Sequence, residues 1–488
     1  MKTSVNYMTI VFACAFILGS CQQSSQSQQN PKPEREEYIH DFDLDKIKER
    51  GYLVALMENS STGLFVYKGK TMGYEYELLK RFCDEHNLEL RFNITQNIGE
   101  AFNKLNTGDG DILAYNLTVT KERKKKIGFT HYHSLQNQVL IQRKPKNWRD
   151  LKLHEIEAKL IRNPVDLIGK EVVVRPYSSY YDRLVNLSDE IGGDIIIVPG
   201  ETNSETEQLI GMVAKGEIDL TVAEEDVALV NSKYYSNIDI KTAISFPTQI
   251  AWGVRKNATS LQSELNDWIL RMRRTTDYYV IYDKYFKSSK SSLRRSRSQY
   301  SSIGGGDVSP YDSLIKEAAE ELNWDWLLLS AQIFRESKFD KNVESWAGAV
   351  GLMQVLPRTG RQYGVSDLKD PEKNIYAGKE QLLWLQRQWD KEVQDEDTKL
   401  KLVLASYNVG LGHVQDAARL AEKYGKDPKK WESIKEFLLK KSYSQYYKDP
   451  VVQYGYCRGS EPVEYVKKIL DNYENYKALL SEDTEPVI

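Results

Sequence analysis

A single glutamate at the end of an apolar run is the strongest chemical feature of the sequence. Glu336 follows a run of helical spacing that contains Leu327, Leu328 and Phe334, and a segment rich in glycine and alanine follows it at 348–354. A carboxyl group at the rim of a buried helix can act as a general acid, and small residues let a bulky ligand approach the backbone closely. The spacing therefore predicts an acid that faces a cleft for a large substrate.

The stretch 335–359 resembles the signature of the soluble lytic transglycosylases, goose-lysozyme-like enzymes that cleave bacterial murein. Further segments match the same family in the same order, at 374–378, 405–410 and 461–466. The resemblance implies that Glu336 is the catalytic residue. It also implies a set of substrate-binding positions along the cleft: Ser337, Gly351, Met353, Gln354, Tyr407, Asn408 and Tyr465.

The chemistry implied by this resemblance needs one carboxyl group, whereas ordinary glycosidases need two. In such enzymes the C6 hydroxyl of muramic acid attacks, the β-1,4 bond between MurNAc and GlcNAc breaks, and a 1,6-anhydro-MurNAc end forms. Glu336 would protonate the glycosidic oxygen and then accept the proton of that hydroxyl, which requires an apolar pocket that raises its pKa. The expected walls of this pocket are Phe334, Phe339, Leu352 and Met353. No metal or cofactor is required.

Helical spacing with few strand signals predicts an all-α, lysozyme-like domain at 309–480, followed by a tail at 481–488. Within it, Asp325 can cap the helix that delivers Glu336. Serine, basic and glycine residues without apolar periodicity precede this domain at 287–308. Such a composition cannot form a core, so we expect a solvated linker there.

Strand and helix patterns alternate from 45 to 286, which predicts parallel sheets flanked by helices. Two similar segments, 108–112 and 216–220, each combine a helix end, a turn and a buried strand. We therefore expect a domain of two α/β lobes, like a periplasmic binding protein. Its ligand site should lie in the crevice between the lobes.

The region 45–286 also resembles the family-3 periplasmic solute-binding proteins, which capture amino acids, with the best local match at 117–123. The resemblance implies that Arg123 holds a ligand carboxylate by a bidentate contact, with Thr118 beside it. The other implied ligand positions are a turn and an acid for the ligand ammonium: Ser178, Ser179 and Glu224.

Three departures from that family concern the size of the pocket. Tyr177 stands where the family has glycine, and Tyr115 and Asn116 stand where amino-acid binders carry small hydroxyl residues. These bulkier residues leave room for a larger or different ligand, so the expected ligand is a murein stem peptide or an amino acid, and we expect it to regulate the second domain. The alternative is a pair of lobes that has lost its ligand.

The first residues have the pattern of an export signal. Lys2 precedes an apolar run at 8–18 that is too short to span a bilayer, and residues 18–21 resemble a bacterial lipobox. We expect residues 1–20 to be removed and Cys21 to be acylated, with a flexible tether at 21–44. A plain signal peptide with an incidental cysteine is the alternative.

The expected location is the cell envelope, with the lipid in the outer membrane and the protein facing the periplasm. This expectation rests on Gln22, because some inner-membrane lipoproteins carry an acidic retention signal after the cysteine. The net charge of −3 gives no electrostatic reason to expect a nucleic-acid partner.

Together, the lipobox, the solute-binding-like half and the lysozyme-like half resemble the membrane-bound lytic transglycosylases of the F type. This pairing of domains is more specific than either half alone. Two alternatives remain, namely a wall-binding or sensing lipoprotein without activity and a lysozyme that uses water. The intact motifs around Glu336 and Tyr407 favour an active enzyme whose partner is the peptidoglycan glycan strand.

Overall fold

The computed structural model describes residues 40–95, 97–201, 204–287, 295 and 298–480. The predicted signal segment, the lipidation site Cys21, most of the tether and the tail at 481–488 lie outside the described residues. Within the described ranges, no helix is both long enough and apolar enough to cross a bilayer. The predicted fold class is confirmed, because a two-lobe α/β domain precedes an all-α domain.

The first domain alternates strands and short helices. Its strands in the described chain are β1 Tyr52–Met57, β2 Phe65–Tyr67, β3 Lys70–Met72, β4 Glu89–Ile94, β5 Ile112–Leu113, β6 Gly128–Phe129, β7 Ser134–Gln136, β8 Gln138–Arg143, β9 Glu171–Val174, β10 Ile196–Pro199, β11 Leu220–Glu224, β12 Ile238–Ala243, β13 Thr248–Ile250 and β14 Gly253–Val254. Its helices are α1 Leu44–Arg50, α2 Tyr74–Glu85, α3 Ile98–Thr107, α4 Lys121–Lys126, α5 Leu153–Glu157, α6 Ser179–Ile191, α7 Thr206–Lys215, α8 Glu225–Ser232, α9 Thr259–Met272 and α10 Thr276–Tyr282.

Two five-stranded sheets form the two lobes. The first has the order β4-β1-β5-β14-β6, and the second has the order β10-β9-β11-β8-β12. The chain crosses between the lobes at β7 and β13, which pair antiparallel as a two-stranded hinge. The two segments predicted as counterparts end α3 and α7 at Gly108 and Gly216, where positive φ angles of 100° and 87° favour glycine.

Helices joined by loops make up the described part of the second domain. Its helices are α11 Asp312–Leu322, α12 Trp326–Ser337, α13 Pro357–Gln362, α14 Pro371–Trp389, α15 Glu396–Val409, α16 Leu411–Lys423, α17 Trp431–Lys440, α18 Ser444–Tyr447 and α19 Ser460–Leu480. The long helix α19 packs against α12 and α15, so the last turn of α12 is enclosed by the body of the domain.

A hairpin of the first lobe contacts the helical domain directly. β2 and β3 pair antiparallel, and both residues of their turn, Lys68 and Gly69, have positive φ. A Cβ at Gly69 would lie 2.7 Å from the rings of both Phe334 and Phe339, so only glycine fits. The Tyr476 hydroxyl of α19 donates to the Gly69 carbonyl at 2.6 Å. The first lobe and the helical domain therefore share one continuous hydrophobic core.

Part of the predicted linker is ordered. The Lys68 N–H donates to the Tyr300 carbonyl at 2.8 Å, and the Ser302 N–H donates to the Val66 carbonyl at 3.0 Å. These bonds hold the chain after residue 298 against the hairpin. The expectation of a solvated linker is wrong for this part, because a composition of serine and glycine does not reveal pairing through the backbone.

Candidate active site and interlobe cleft

The helix α12 carries Glu336 on its last turn. Asp325 caps the helix as predicted, its carboxylate accepting the Leu327 N–H at 2.9 Å. The helix ends at Lys338, which has a left-handed φ of 53°. Most residues of this helix are buried, so packing fixes the backbone that carries the half-buried Glu336.

Tyr465 of α19 contacts the carboxyl group of Glu336. Its hydroxyl lies 2.5 Å from Glu336 Oε1, and the Gln332 amide donates to the same hydroxyl at 3.4 Å. Burial raises the pKa of Glu336 to about 7, although the Tyr465 hydrogen bond and the charge of Arg335 act in the opposite direction. The raised pKa favours the protonated form that a proton donor needs near neutral pH.

The segment 351–354, the expected wall of the pocket, is fixed from both sides. The Met353 N–H donates to Asn374 Oδ1 at 2.8 Å, and the Met353 carbonyl accepts from the Tyr407 hydroxyl at 2.8 Å. A Cβ at Gly378 would lie 2.3 Å from Met353 Sδ, and one at Gly351 would lie 2.3 Å from Asn374 Nδ2. Glycine at both positions lets the segment approach α14 closely.

The structural roles of Asn374 and Gly378 were missed by reasoning from sequence. Both stand in the matched segment 374–378, so the motif gave their positions but not their function. Asn374 also donates from Nδ2 to the Val350 and Leu368 carbonyls, each at 2.8 Å. The buried Asn374 side chain therefore holds the segment 351–354 in place through its hydrogen bonds.

The other predicted cleft residues are found in different environments. The Ser337 hydroxyl is buried and donates to the Ile333 carbonyl of its own helix at 3.2 Å. Gln354 donates to the Gly351 and Val343 carbonyls at 2.9 and 3.1 Å, which closes the loop that begins after α12. Asn408 is exposed near the end of α15.

The four predicted walls divide into two pairs. Leu352 and Met353 belong to the segment 351–354, and their side chains are fully buried. Phe334 and Phe339 are half-buried, with ring centroids 5.8 Å apart, and they also pack against Gly69 of the first domain. The aromatic pair therefore links the neighbourhood of the acid to the hairpin.

The predicted ligand residues of the first domain converge between the lobes. The Thr118 hydroxyl donates to Glu224 Oε1 at 3.0 Å, and Arg123 donates to the Thr118 carbonyl at 2.9 Å. Ser178 and Ser179 line the same cavity as Arg123 and Glu224. Burial and the neighbouring Asp226 raise the pKa of Glu224 to about 7, while burial lowers that of Arg123 to about 10.

Other bonds across the cleft were not predicted. The guanidinium of Arg175, which follows β9, lies 2.9 Å from a carboxylate oxygen of Glu58, which follows β1. Glu207 of the second lobe accepts from the Ser61 N–H and hydroxyl at 3.0 and 2.6 Å. The sequence feature that could have identified Arg175 as a cleft residue is its position at the carboxyl end of a strand.

The cavity between the lobes measures about 40 Å³ and is lined by polar groups of both lobes. Tyr115 and Asn116 are part of this lining, whereas Tyr177 is 65% exposed. A volume of this size holds roughly three water molecules. The two lobes are therefore closed on each other.

Known protein families match each half of the chain. Residues 313–430 match the family model "Transglycosylase SLT domain", and residues 55–288 match "Bacterial extracellular solute-binding proteins, family 3". Among solved structures, an ancestral arginine-binding protein bound to arginine is 21% identical, with a TM-score of 0.41, and the match covers 49% of this chain and 99% of that one. The ancestral amino acid-binding protein AncCDT-1 is 23% identical, with a TM-score of 0.41, over 50% of this chain and 98% of that one.

Two relatives are similar to this protein over most of the chain. A protein of Desulfosudis oleivorans named membrane-bound lytic murein transglycosylase F is 34% identical, covering 88% of this chain and 91% of its own. A protein of the same name from Pseudomonas fluorescens strain Pf0-1 is 29% identical, covering 88% of this chain and 86% of its own. The chain therefore belongs to the membrane-bound lytic murein transglycosylase F family, which makes it a peptidoglycan lytic transglycosylase with an amino-acid-binding-like first domain.

Proposed function

We propose that Glu336 is both the acid and the base of the lytic reaction. In its protonated form it donates a proton to the glycosidic oxygen as the bond from that oxygen to C1 of MurNAc breaks. The resulting carboxylate accepts the proton of the C6 hydroxyl as that oxygen bonds to C1, and Glu336 returns to its protonated form. The observation that carries this proposal is an acid with a pKa of about 7 whose Oε1 lies 2.5 Å from the Tyr465 hydroxyl.

The neighbouring groups have positioning roles in this proposal. Tyr465 orients the carboxyl group, and Tyr407 fixes the carbonyl of Met353 in the segment 351–354. Ser337, Gln354 and Asn408 remain predicted substrate contacts. Because two bonds are exchanged within one substrate, no water is needed at C1, which separates this reaction from that of a lysozyme.

Replacement of the acid tests this mechanism. We expect Glu336→Gln to lower the release of murein fragments by about 10²-fold or more, because the amide keeps the shape but supplies no proton. The exposed Glu344→Gln on the following loop is the matched control and should keep full activity. Mass spectrometry of the wild-type digest should find 1,6-anhydro-MurNAc ends. Reducing ends alone would identify a hydrolase, and an active Glu336→Gln variant would place the acid elsewhere.

We further propose that the first domain binds a ligand that carries both a carboxylate and an ammonium group, such as a murein stem peptide. Arg123 and Glu224 offer the two complementary charges, and both line the interlobe cavity. The closed cavity is too small for a peptide, so binding requires the lobes to separate. Once inside, a ligand of this kind would replace the hydrogen bond between Thr118 and Glu224 and bridge the lobes through Arg123 and Glu224, which favours their closure around it.

A chain of contacts connects this cleft with the active site. Ser61, which is bonded to Glu207 across the cleft, lies shortly before the hairpin β2–β3. The turn of the hairpin packs through Gly69 against Phe334 and Phe339, which flank Glu336 in the sequence. Movement of the lobes on ligand binding would therefore shift the side chains that pack near Glu336. This supports our proposal that the first domain regulates catalysis.

Calorimetry tests the ligand proposal. We expect stem peptides to bind the wild-type chain, and Arg123→Ala to weaken binding by about tenfold or more, because a buried charged hydrogen bond contributes roughly 1.5–3 kcal/mol. Lys124→Ala, an exposed neighbour on the same helix, is the matched control and should bind normally. Free amino acids serve as the comparison ligand. Undiminished binding by Arg123→Ala, or no binding by the wild type, would leave the first domain as a scaffold.

The same peptides test the coupling. If the lobes and the active site communicate, saturating peptide should change the rate of murein release by the wild type but not by Arg123→Ala. Murein should in turn change the affinity for peptide, because coupling between two binding equilibria is reciprocal. Equal rates with and without bound peptide would refute regulation while leaving the catalytic proposal intact.

We also propose that Cys21 carries a lipid that anchors the chain in the outer membrane. The lipobox-like residues 18–21 support this, as do the names of the relatives, which describe them as membrane-bound. We expect Cys21→Ser to move the protein from the membrane fraction to the soluble fraction, because a lipid would be its main hold on the bilayer. Density separation of the two membranes checks the location. A processed Cys21→Ser protein that stays entirely with the membrane would contradict the anchor.

A further inference from the structure

A second and larger cavity lies on the hinge side of the first domain. We call it the hinge groove and define it by Ser134, Leu135, Leu270, Arg274, Tyr279 and Tyr282. Its volume is about 510 Å³, which falls within the range of small-molecule sites. It is bounded by the hinge strand β7 and the helices α9 and α10, and neither Glu336 nor the interlobe residues contribute to it.

Exposed apolar and aromatic side chains form the rim of the hinge groove. Leu135, Leu270 and Tyr279 are 51%, 43% and 56% exposed. Tyr278 and Tyr282 stack with their planes 21° apart and their ring centroids separated by 6.4 Å. Flat rings at the edge of a concave surface suit a ligand that has an apolar ring face and polar edges.

Buried polar atoms of the groove have no hydrogen-bond partner in the described part of the chain. The Ser134 hydroxyl is one of them, and Ser134 is only 8% exposed. Both ring nitrogens of His133, which is 2% exposed, also lack one, the nearest acid being Glu75 at 3.5 Å from Nε2. These buried atoms lie beneath the groove and give it a polar floor.

The charge of the groove is positive. Its described lining includes Arg273, Arg274 and Lys287 but no acidic residue. Arg273 lies over the ring of Tyr132, and Lys287 pairs with Asp283 at 2.9 Å, whereas Arg274 is exposed and has no ion pair with any described residue. An exposed guanidinium beside aromatic rings is suited to a carboxylate.

We propose that the hinge groove binds a carboxylate-bearing sugar unit of murein, as a contact separate from the catalytic cleft. The sugar ring lies against Tyr279, and a carboxylate of the attached peptide pairs with Arg274. A lipid headgroup could pair with the arginines but would not fill the groove. The proposal rests on the murein specificity of the family and not on the roles of Glu336 or Arg123.

Binding of the full chain to insoluble murein, together with titration of a soluble disaccharide-peptide, tests the proposal. The experiment uses chains that also carry Glu336→Gln, so that the polymer is not cut, and Arg123→Ala, so that the interlobe site is weakened. In this background Arg274→Ala combined with Tyr279→Ala should reduce the affinity for murein about tenfold, as expected for an aromatic and arginine contact. The disaccharide without peptide should bind more weakly than the disaccharide-peptide.

The matched control is Arg271→Ala combined with Val280→Ala, which removes an exposed arginine of α9 and an exposed apolar residue of α10, both outside the groove. It should bind murein like the background protein. Equal affinities of the groove and control variants would overturn the proposal. So would loss of binding to phosphatidylglycerol vesicles in the groove variant with unchanged murein binding, since this would assign the groove to the membrane. Circular dichroism of the groove variant checks its fold, and Tyr279→Ala alone repeats the test if the double variant is unstable.

Discussion

The burial of Glu336 against Tyr465 is the interaction on which the account of catalysis depends. A lone carboxyl group that must give a proton and then take one back needs a pKa close to the working pH, and burial raises that of Glu336 to about 7. The acid cannot be buried by its own helix, because it lies on the last turn of α12. Tyr465 of α19 and the wall at 351–354 must be brought to it, and the packing of the helical domain serves that end.

The same helix connects catalysis with the first domain. Tyr465 touches the acid, and Tyr476 of α19 bonds to the carbonyl of Gly69 in the hairpin. Eleven residues of helix separate them, a distance of about 16 Å. Because Phe334 and Phe339 also pack on Gly69, the hairpin touches the chain on both sides of Glu336. The hairpin of the first lobe is therefore packed against the residues that flank Glu336 in the sequence.

Local patterns in the sequence predicted the fold class and the cap at Asp325, because periodicity and short motifs are local information. The pairing of Arg123 with Glu224 in one site was implied by the resemblance to the family-3 solute-binding proteins. The bonds of Arg175 with Glu58 and of Ser61 with Glu207 join residues more than a hundred positions apart, and no local pattern encodes such pairs. The ordered chain after residue 298 escaped prediction for a related reason. Its partners are backbone groups of the hairpin, which side-chain composition does not report.

The most direct test of this account is the pKa of Glu336 itself. Carbon-13 NMR of the full chain labelled at the glutamate carboxyl carbons would follow its titration, with the resonance assigned by its absence in Glu336→Gln. We expect a midpoint at about 7, well above the ordinary value of 4.5. A midpoint near 4.5 would mean that the carboxyl group is ionised at neutral pH, and Glu336 could not then be the proton donor.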